Sequence, residues 1–307
     1  GAVADSDSPF LQAAYLTAAD AHYGSMLSAA EPGGKIYEQL MLVGIKRHRS
    51  VLAGKLDDTL GTANARARMQ LASLWMKSLG QAGIRLAKLD EAGLPGQTKA
   101  LREILTEAER LVLDTETDQP LRLDAIEALG HGSELHGNTA AVFQKLLAPS
   151  ETSAVRHGTI RAVGNMTAAG AAKLLLAAWP GLVANERTSA LDVLLSRGTW
   201  QEALLQGMES GQVSINGFSL AHRDRLLKSA NKAVAKRARG VFANEAEGDR
   251  AGALAKFAPA LKLGGDAEKG RLVYDMHCAV CHAPDKQLGP DLRSITDRSP
   301  EGLLASI

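Results

Sequence analysis

The amino-acid sequence predicts an all-α protein, and three observations support this prediction. Residues 1–260 are rich in alanine and leucine, and aromatic residues make up only 4% of the 307-residue chain. Alternating runs with β-branched side chains, which are typical of strands, do not occur in this part of the sequence. Apolar residues instead recur at the three- and four-residue spacing of a helix face. A chain of this length can bury a core as one large domain or as two.

The middle of the chain contains an internal repeat. Arg122 and Arg156 lie 34 residues apart, and each is followed by an apolar ridge at helical spacing. A third copy places Arg187 a further 31 residues along the chain. The copies are residues 120–130, 154–164 and 186–194, a weaker relative is residues 8–16, and second helices are predicted between copies at residues 139–147 and 169–179.

Paired helices at this period resemble HEAT-type repeats, including the A-V-R opening at residues 154–156. The resemblance implies that neighbouring repeats stack into an elongated α-solenoid with a continuous core. We therefore predict a HEAT-like helical repeat domain over residues 1–260. Residues 36–113 keep helical spacing but match the repeat poorly, and their clearest helix is predicted at residues 63–79. An irregular helical bundle is the alternative.

A basic stripe follows the repeats. A helix predicted over residues 223–242 carries five basic side chains on one face, which can steer an acidic partner or dock an electron donor. A solvated helix face is the ordinary alternative. The five are Arg225, Lys228, Lys232, Lys236 and Arg239. We predict no nucleic-acid partner, because the net charge is only +1 and no aromatic residues interleave with the stripe.

Catalytic motifs do not stand out anywhere in the chain. The sequence has no Ser-His-Asp order, phosphate-binding glycine loop or paired-carboxylate motif, so whether the chain is itself an enzyme stays open. His131, His136 and His157 fall in or beside repeat loops, where plain surface histidines are the alternative to a metal site. No 18-residue apolar span or signal-peptide core occurs, so we predict no membrane-spanning segment in this chain.

The only two cysteines form a C-x-x-C-H motif at residues 278–282. At this spacing both thiols can add to the vinyl groups of one haem, and the following histidine can ligate the iron. The alternatives are a thioredoxin-like redox pair, half of a zinc site, or two inert thiols. A redox pair is expected near a βαβ pattern, and His277 with His282 makes a poor second pair of zinc ligands. We predict haem c attached to Cys278 and Cys281, with His282 as the metal ligand.

The flanks of this motif resemble class I cytochromes c. Asp266 is placed to cap a helix, and Gly270 and Tyr274 share one face of it. Residues 265–282 reproduce the family pattern G-D-x-x-x-G-x-x-[FY] ending in C-x-x-C-H, and residues 289–292 reproduce its G-P-x-L loop.

The resemblance implies further cofactor-binding residues. In the family, the carbonyl of the loop proline accepts a hydrogen bond from the ligating histidine, so Pro290 inherits that role and would orient the imidazole. Leu292 belongs to the same loop and is included with it. An arginine soon after the loop lies near a haem propionate in the family; Arg298 is the best match, and Arg293 is the second possibility.

We expect the cytochrome-like segment, residues 265–307, to be the N-terminal half of such a domain. Ser299 and Pro300 open a helix. The family continues through a methionine-bearing loop and a closing helix, but no methionine follows His282, so the sixth iron ligand is expected to be missing. A segment this short buries too little apolar surface to offset its ordering entropy, so we expect it to lean on the preceding domain or on another chain. We also expect haem to be absent when the chain is made without attachment machinery.

Helical repeats leading into this segment, with R-S-P-E-G-L-L-A-S-I at residues 298–307, resemble planctomycete-type membrane-bound dehydrogenases that end in a C-x-x-C-H haem domain. The resemblance implies an electron-transfer module of a larger multidomain, sugar- or alcohol-dehydrogenase-like enzyme. Its partner would be a redox donor or acceptor protein or an upstream dehydrogenase domain. Covalent haem attachment in this family implies export to a periplasm-like space. The alternative functions are a helical-repeat interaction scaffold without haem and a thiol oxidoreductase.

Overall fold

The computed structural model describes residues 16–168, 170–282 and 298–306, without the side chains of residues 216, 244–251, 253, 280, 281, 305 and 306. All regular elements in these ranges are helical, which confirms the predicted all-α fold class. None of the described helices is both long enough and apolar enough to cross a bilayer.

Sixteen α-helices are described, with short 3-10 turns between some of them. The first eight are α1 Ala19–Ala29, α2 Lys35–Arg47, α3 Arg49–Thr62, α4 Ala65–Gln81, α5 Gln97–Leu113, α6 Gln119–His131, α7 Thr139–Leu146 and α8 Ser153–Asn165. The others are α9 Ala171–Ala178, α10 Ala184–Leu194, α11 Gly198–Glu209, α12 Leu220–Leu227, α13 Lys232–Phe257, α14 Ala267–His277, α15 Ala279–His282 and α16 Pro300–Ser306.

By internal packing, the chain divides into two compact units. The described residues up to Ala238 form the first unit, and those from Arg239 onward form the second. This division falls inside α13, whereas the sequence places the start of the cytochrome-like segment at residue 265. The sequence-based boundaries at residues 260 and 265 stay predictions.

Nine of the described helices in the first unit pack in two rows. One row runs α2, α4, α6, α8 and α10, and each helix contacts the next in that order. The second row runs α5, α7, α9 and α11, again with successive contacts. Each second-row helix also packs against a first-row neighbour, for example α5 on α6 and α7 on α8. The first unit therefore has a core that continues from one helix pair to the next.

The repeat detected in the sequence corresponds to α6, α8 and α10. The ridge residues of these copies are buried, and they are Ala125, Ile126, Leu129, Ile160, Val163, Ala190, Leu191 and Leu194. Helix α6 also approaches α8 closely at Gly130, where a Cβ atom would lie only 2.6 Å from the carbonyl oxygen of Ala162. Glycine is therefore needed at that crossing.

In each of two copies of the repeat, a buried arginine pairs with a glutamate. The Arg122 guanidinium lies 3.0 Å from Glu151, and the Arg156 guanidinium lies 2.9 Å from Glu186. Glu151 directly precedes the cap of α8, and Glu186 lies in the first turn of α10, so in each pair the carboxylate comes from the start of the next first-row helix. Arg187, in the third copy, has no such carboxylate partner among the side chains that the structure describes, and it lies over the ring of Trp179. The sequence repeat is thus matched by a repeated contact in its first two copies.

The prediction of one continuous helix over residues 223–242 is wrong. Helix α12 ends at Leu227 and α13 begins at Lys232. The Asn231 side chain accepts hydrogen bonds from the backbone N–H groups of Ala233 and Val234, at 3.0 and 3.4 Å, and so starts a new helix. The basic stripe therefore does not lie on one continuous helix face, and its first member, Arg225, pairs with Asp192 at 3.1 Å.

The three repeat histidines have separate surroundings. His136 lies 2.6 Å from Glu109, and His157 bonds the backbone oxygen of Ser153 at 2.9 Å. His131 ends α6, and burial, followed by the nearby Lys77 ammonium, lowers its pKa to about 4. No group of three or more His, Cys, Asp or Glu side chains suited to a metal ion occurs in the described part of the chain.

The buried His131 predicts a pH-dependent stability. Its pKa of about 4 in the folded chain lies below the ordinary value of 6.5, so between these values the unfolded chain binds a proton that the folded chain does not. The free energy of unfolding should therefore fall as pH decreases from 6.5 toward 4, by up to about 1.4 kcal/mol per pH unit. His131→Gln should remove this component, as measured by urea unfolding at several pH values. His22→Gln, which changes an exposed imidazole, is the control; equal slopes for wild type and His131→Gln would contradict the prediction.

Candidate functional site

Helix α14 leads into the C-x-x-C-H motif and begins at a side-chain cap. Oδ1 of Asp266 accepts hydrogen bonds from the backbone N–H groups of Glu268 and Lys269, each at 3.1 Å. These bonds, that from Lys269 foremost, hold the pKa of the Asp266 carboxyl below its usual value. The cap predicted from the sequence is confirmed, and it fixes where the helix starts relative to the cysteines.

The motif itself forms the junction between α14 and α15. The backbone N–H of Cys278 donates to the carbonyl oxygen of Tyr274 at 2.8 Å, which closes the end of α14. The N–H of His282 donates to the carbonyl oxygen of Cys278 at 2.9 Å, which closes the single turn of α15. The Cys278 thiol is free and half-buried, and His282 is half-buried on the same turn. Cys281 lies within α15, but its side chain lies outside the described atoms.

Tyr274, which the sequence places on one face of a helix, also takes part in this turn. The Tyr274 hydroxyl donates a hydrogen bond to the carbonyl oxygen of His282 at 3.1 Å. The sequence places Tyr274 and Gly270 on one helix face but does not reveal this contact, because the hydroxyl acts across the break between two helices. No spacing rule for one continuous helix predicts a bond between residues eight positions apart.

Helix α14 presents apolar side chains to solvent. Leu272, Val273 and Met276 are 63%, 53% and 64% exposed, although each is large and hydrophobic. Exposed apolar groups clustered on one short helix mark a surface that gains stability when something apolar covers it. This surface lies within six residues of the first cysteine.

The other predicted site residues are only partly described. Pro290 and Leu292 lie outside the described residues, as does the alternative Arg293. Arg298 is exposed and precedes α16. Ser299 caps that helix as predicted, because its hydroxyl accepts a hydrogen bond from the Gly302 backbone N–H at 3.0 Å. Helix α16 packs against the 3-10 turn formed by Ala258–Lys262 in the same unit.

Comparison with known proteins identifies this segment. Residues 267–306 match the family model of Cytochrome c. The match spans α14 through α16, which is well under half of the chain, and among curated proteins none matches the chain. The match confirms the predicted likeness of this segment to cytochrome c and indicates haem binding and electron transfer by it. That the segment is only the N-terminal half of such a domain stays a prediction.

The residues present fit a c-type haem. The free thiol of Cys278 and the half-buried imidazole of His282 lie on one turn, as thioether attachment and iron ligation at neighbouring points require. The exposed apolar face of α14 offers the surface that a porphyrin ring needs for burial. The individual roles of Cys278, Cys281 and His282 stay predictions.

Proposed function

We propose that the second unit is an electron-transfer module carrying haem c on Cys278 and Cys281, with His282 as an iron ligand. The observation that supports this most directly is the C-x-x-C-H motif on the α14–α15 turn, inside the part of the chain that matches cytochrome c. A haem bound there would pass one electron at a time to or from a redox partner protein.

Each residue of the turn has a chemical requirement to meet. Thioether formation adds the S–H bond of a cysteine across a vinyl C=C bond, so the thiol hydrogen moves to carbon and no group leaves. Both thiols must therefore be reduced when the cofactor arrives. His282 must present a deprotonated ring nitrogen, because only the lone pair can ligate. Pro290, Leu292 and Arg298 are proposed to support the imidazole and the propionates, by resemblance to class I cytochromes c.

For the first unit we propose a HEAT-like scaffold. Its support is that the 34-residue repeat places Arg122 and Arg156 in successive helices, and that each pairs with a glutamate from the start of the next first-row helix, Glu151 and Glu186. The stacking of one helix pair on the next supports the same proposal. Such scaffolds bind or hold other protein parts in fixed positions.

The wider context is proposed from sequence resemblance. Residues 298–307 and the helical repeats before them support a larger multidomain dehydrogenase, in which an upstream domain or a separate protein donates electrons. Assembly of covalent haem outside the energy-transducing membrane supports export of the protein to a periplasm-like space.

The proposed function predicts covalent haem on the chain. Co-expression of residues 1–307 with c-type haem attachment machinery should yield a coloured protein whose mass increases by one haem and whose haem survives denaturing electrophoresis. A Cys278→Ser/Cys281→Ser variant should lose all covalent haem, because no thiol remains to form a thioether. Reduction should change the visible spectrum of the wild type but not that of the variant without cysteines.

Leu220→Ala is the control, since it changes an exposed apolar residue of the first unit and leaves both thiols in place. A colourless wild-type protein with both thiols free would overturn the electron-transfer proposal. Folded helical protein obtained in that case would support the alternative, an interaction scaffold without haem.

A further inference from the structure

We propose that the hydroxyl of Tyr274 is a positioning group that orders the C-x-x-C-H turn before any haem arrives. The functional consequence, assisted haem attachment, rests on the proposed function. The ordering itself is a property of the haem-free chain.

Three hydrogen bonds connect Tyr274, Cys278 and His282, two of them between residues four positions apart and one between residues eight apart. The Cys278 N–H donates to Tyr274 O at 2.8 Å, and the His282 N–H donates to Cys278 O at 2.9 Å. The Tyr274 side chain reaches the C-terminal end of the turn, where its hydroxyl donates to His282 O at 3.1 Å. The tyrosine thus contributes its backbone to the start of the turn and its hydroxyl to the end.

The turn gains order from this additional hydrogen bond because it is short. Helix α15 has only four residues, Ala279–His282, and an isolated helical turn costs more ordering entropy than its hydrogen bonds return. The Tyr274 hydroxyl adds to this turn a hydrogen bond from a residue outside it, and the tyrosine ring is half-buried.

Ordering this turn bears on cofactor attachment. Cys278, Cys281 and His282 must meet three fixed points on a single haem, and a chain that already holds their backbones in one turn loses less entropy when it binds. A phenylalanine at position 274 would keep the ring but not the bond to His282. The proposal therefore assigns the effect to one oxygen atom and separates it from packing by the ring.

The test compares amide hydrogen exchange in the whole haem-free chain of the wild type and Tyr274→Phe. Loss of one neutral hydrogen bond should speed exchange at the His282 amide by about 5-fold, because the turn opens more often. Amides within α6 should exchange at unchanged rates. Equal exchange at His282 in both proteins would overturn the proposal.

Tyr23→Phe is a matched control. Tyr23 also donates its hydroxyl to a backbone carbonyl, that of Leu40 at 3.1 Å, but it lies in the first unit. Its replacement should leave exchange at residues 278–282 unchanged. Equal acceleration in Tyr23→Phe and Tyr274→Phe would point to general destabilisation and count against a local role for Tyr274.

Haem attachment supplies a second readout. In co-expression, Tyr274→Phe should carry several-fold less covalent haem per chain than the wild type or Tyr23→Phe. Equal haem content with faster exchange would show that ordering of the turn does not assist haem attachment. That result would overturn the proposed assistance but not the ordering itself. A wild type without haem would instead defeat the proposed function, while the exchange comparison would still decide whether Tyr274 orders the turn.

Discussion

Arg156→Met is expected to lower the free energy of unfolding by about 3–5 kcal/mol, because it leaves a buried carboxylate without its cation. Glu186 has no solvent exposure, and its Oε1 lies 2.9 Å from the Arg156 guanidinium. The remaining partners of this carboxylate are the backbone N–H of Val183 at 3.1 Å and the Ser153 hydroxyl at 3.3 Å, and both are neutral. Urea unfolding followed by circular dichroism measures the loss.

Two further variants show whether burial is the cause. Arg225→Met breaks the Arg225–Asp192 pair, whose side chains are 43% and 58% exposed, and should cost no more than about 1 kcal/mol. Arg156→Met combined with Glu186→Leu removes both charges and should recover most of the stability lost in the single variant. A single Arg156→Met variant as stable as Arg225→Met would contradict the prediction.

Trp75→Ala should destabilise the first unit by a similar amount, about 3–5 kcal/mol, because it empties a large space in the core. Trp75 is fully buried on α4, which packs between α2 and α6 in the first row. Its indole N–H also donates to the Gln97 side chain at 3.2 Å, and Gln97 in turn donates to Asp57 at 2.8 Å. Thermal and urea unfolding are the measurements.

The size of the Trp75 effect has two separable parts. Trp75→Phe keeps most of the ring volume but leaves the Gln97 oxygen without its donor, so we expect a smaller loss of about 1–3 kcal/mol. Leu220→Ala removes an apolar side chain that is 84% exposed and should change stability by less than about 0.5 kcal/mol. A Trp75→Ala effect as small as that of Leu220→Ala would show that the α4 core is not packed as described.

The helices at residues 120–130 and 154–164 could be predicted because their signal is local. The spacing of apolar residues within 120–130 and 154–164 predicts which face of each helix is buried. The apolar residues on those faces of α6 and α8 are buried in the structure. The partners of Arg122 and Arg156 could not be predicted. Glu151 and Glu186 lie about 30 residues further along, and only the path of the intervening helix brings them back.

The basic helix shows where periodicity misleads. Helical spacing of charged residues continues through residues 228–231, so the pattern alone predicts one helix. The Asn231 side chain competes for the backbone N–H groups of the next turn and begins a new helix there. A single sequence does not reveal which of these two preferences is stronger.

The sequence by itself determined the all-α fold class and the C-x-x-C-H motif, because both depend on residues a few positions apart. It also predicted the Asp266 and Ser299 caps, since a cap acts within three residues of its partner. Only the tertiary structure decided which carboxylates pair with the repeat arginines. It also decided that the Tyr274 hydroxyl donates a hydrogen bond to the carbonyl oxygen of His282. Such contacts join residues whose separation in space is set by the packing and bending of whole helices, which local spacing does not encode.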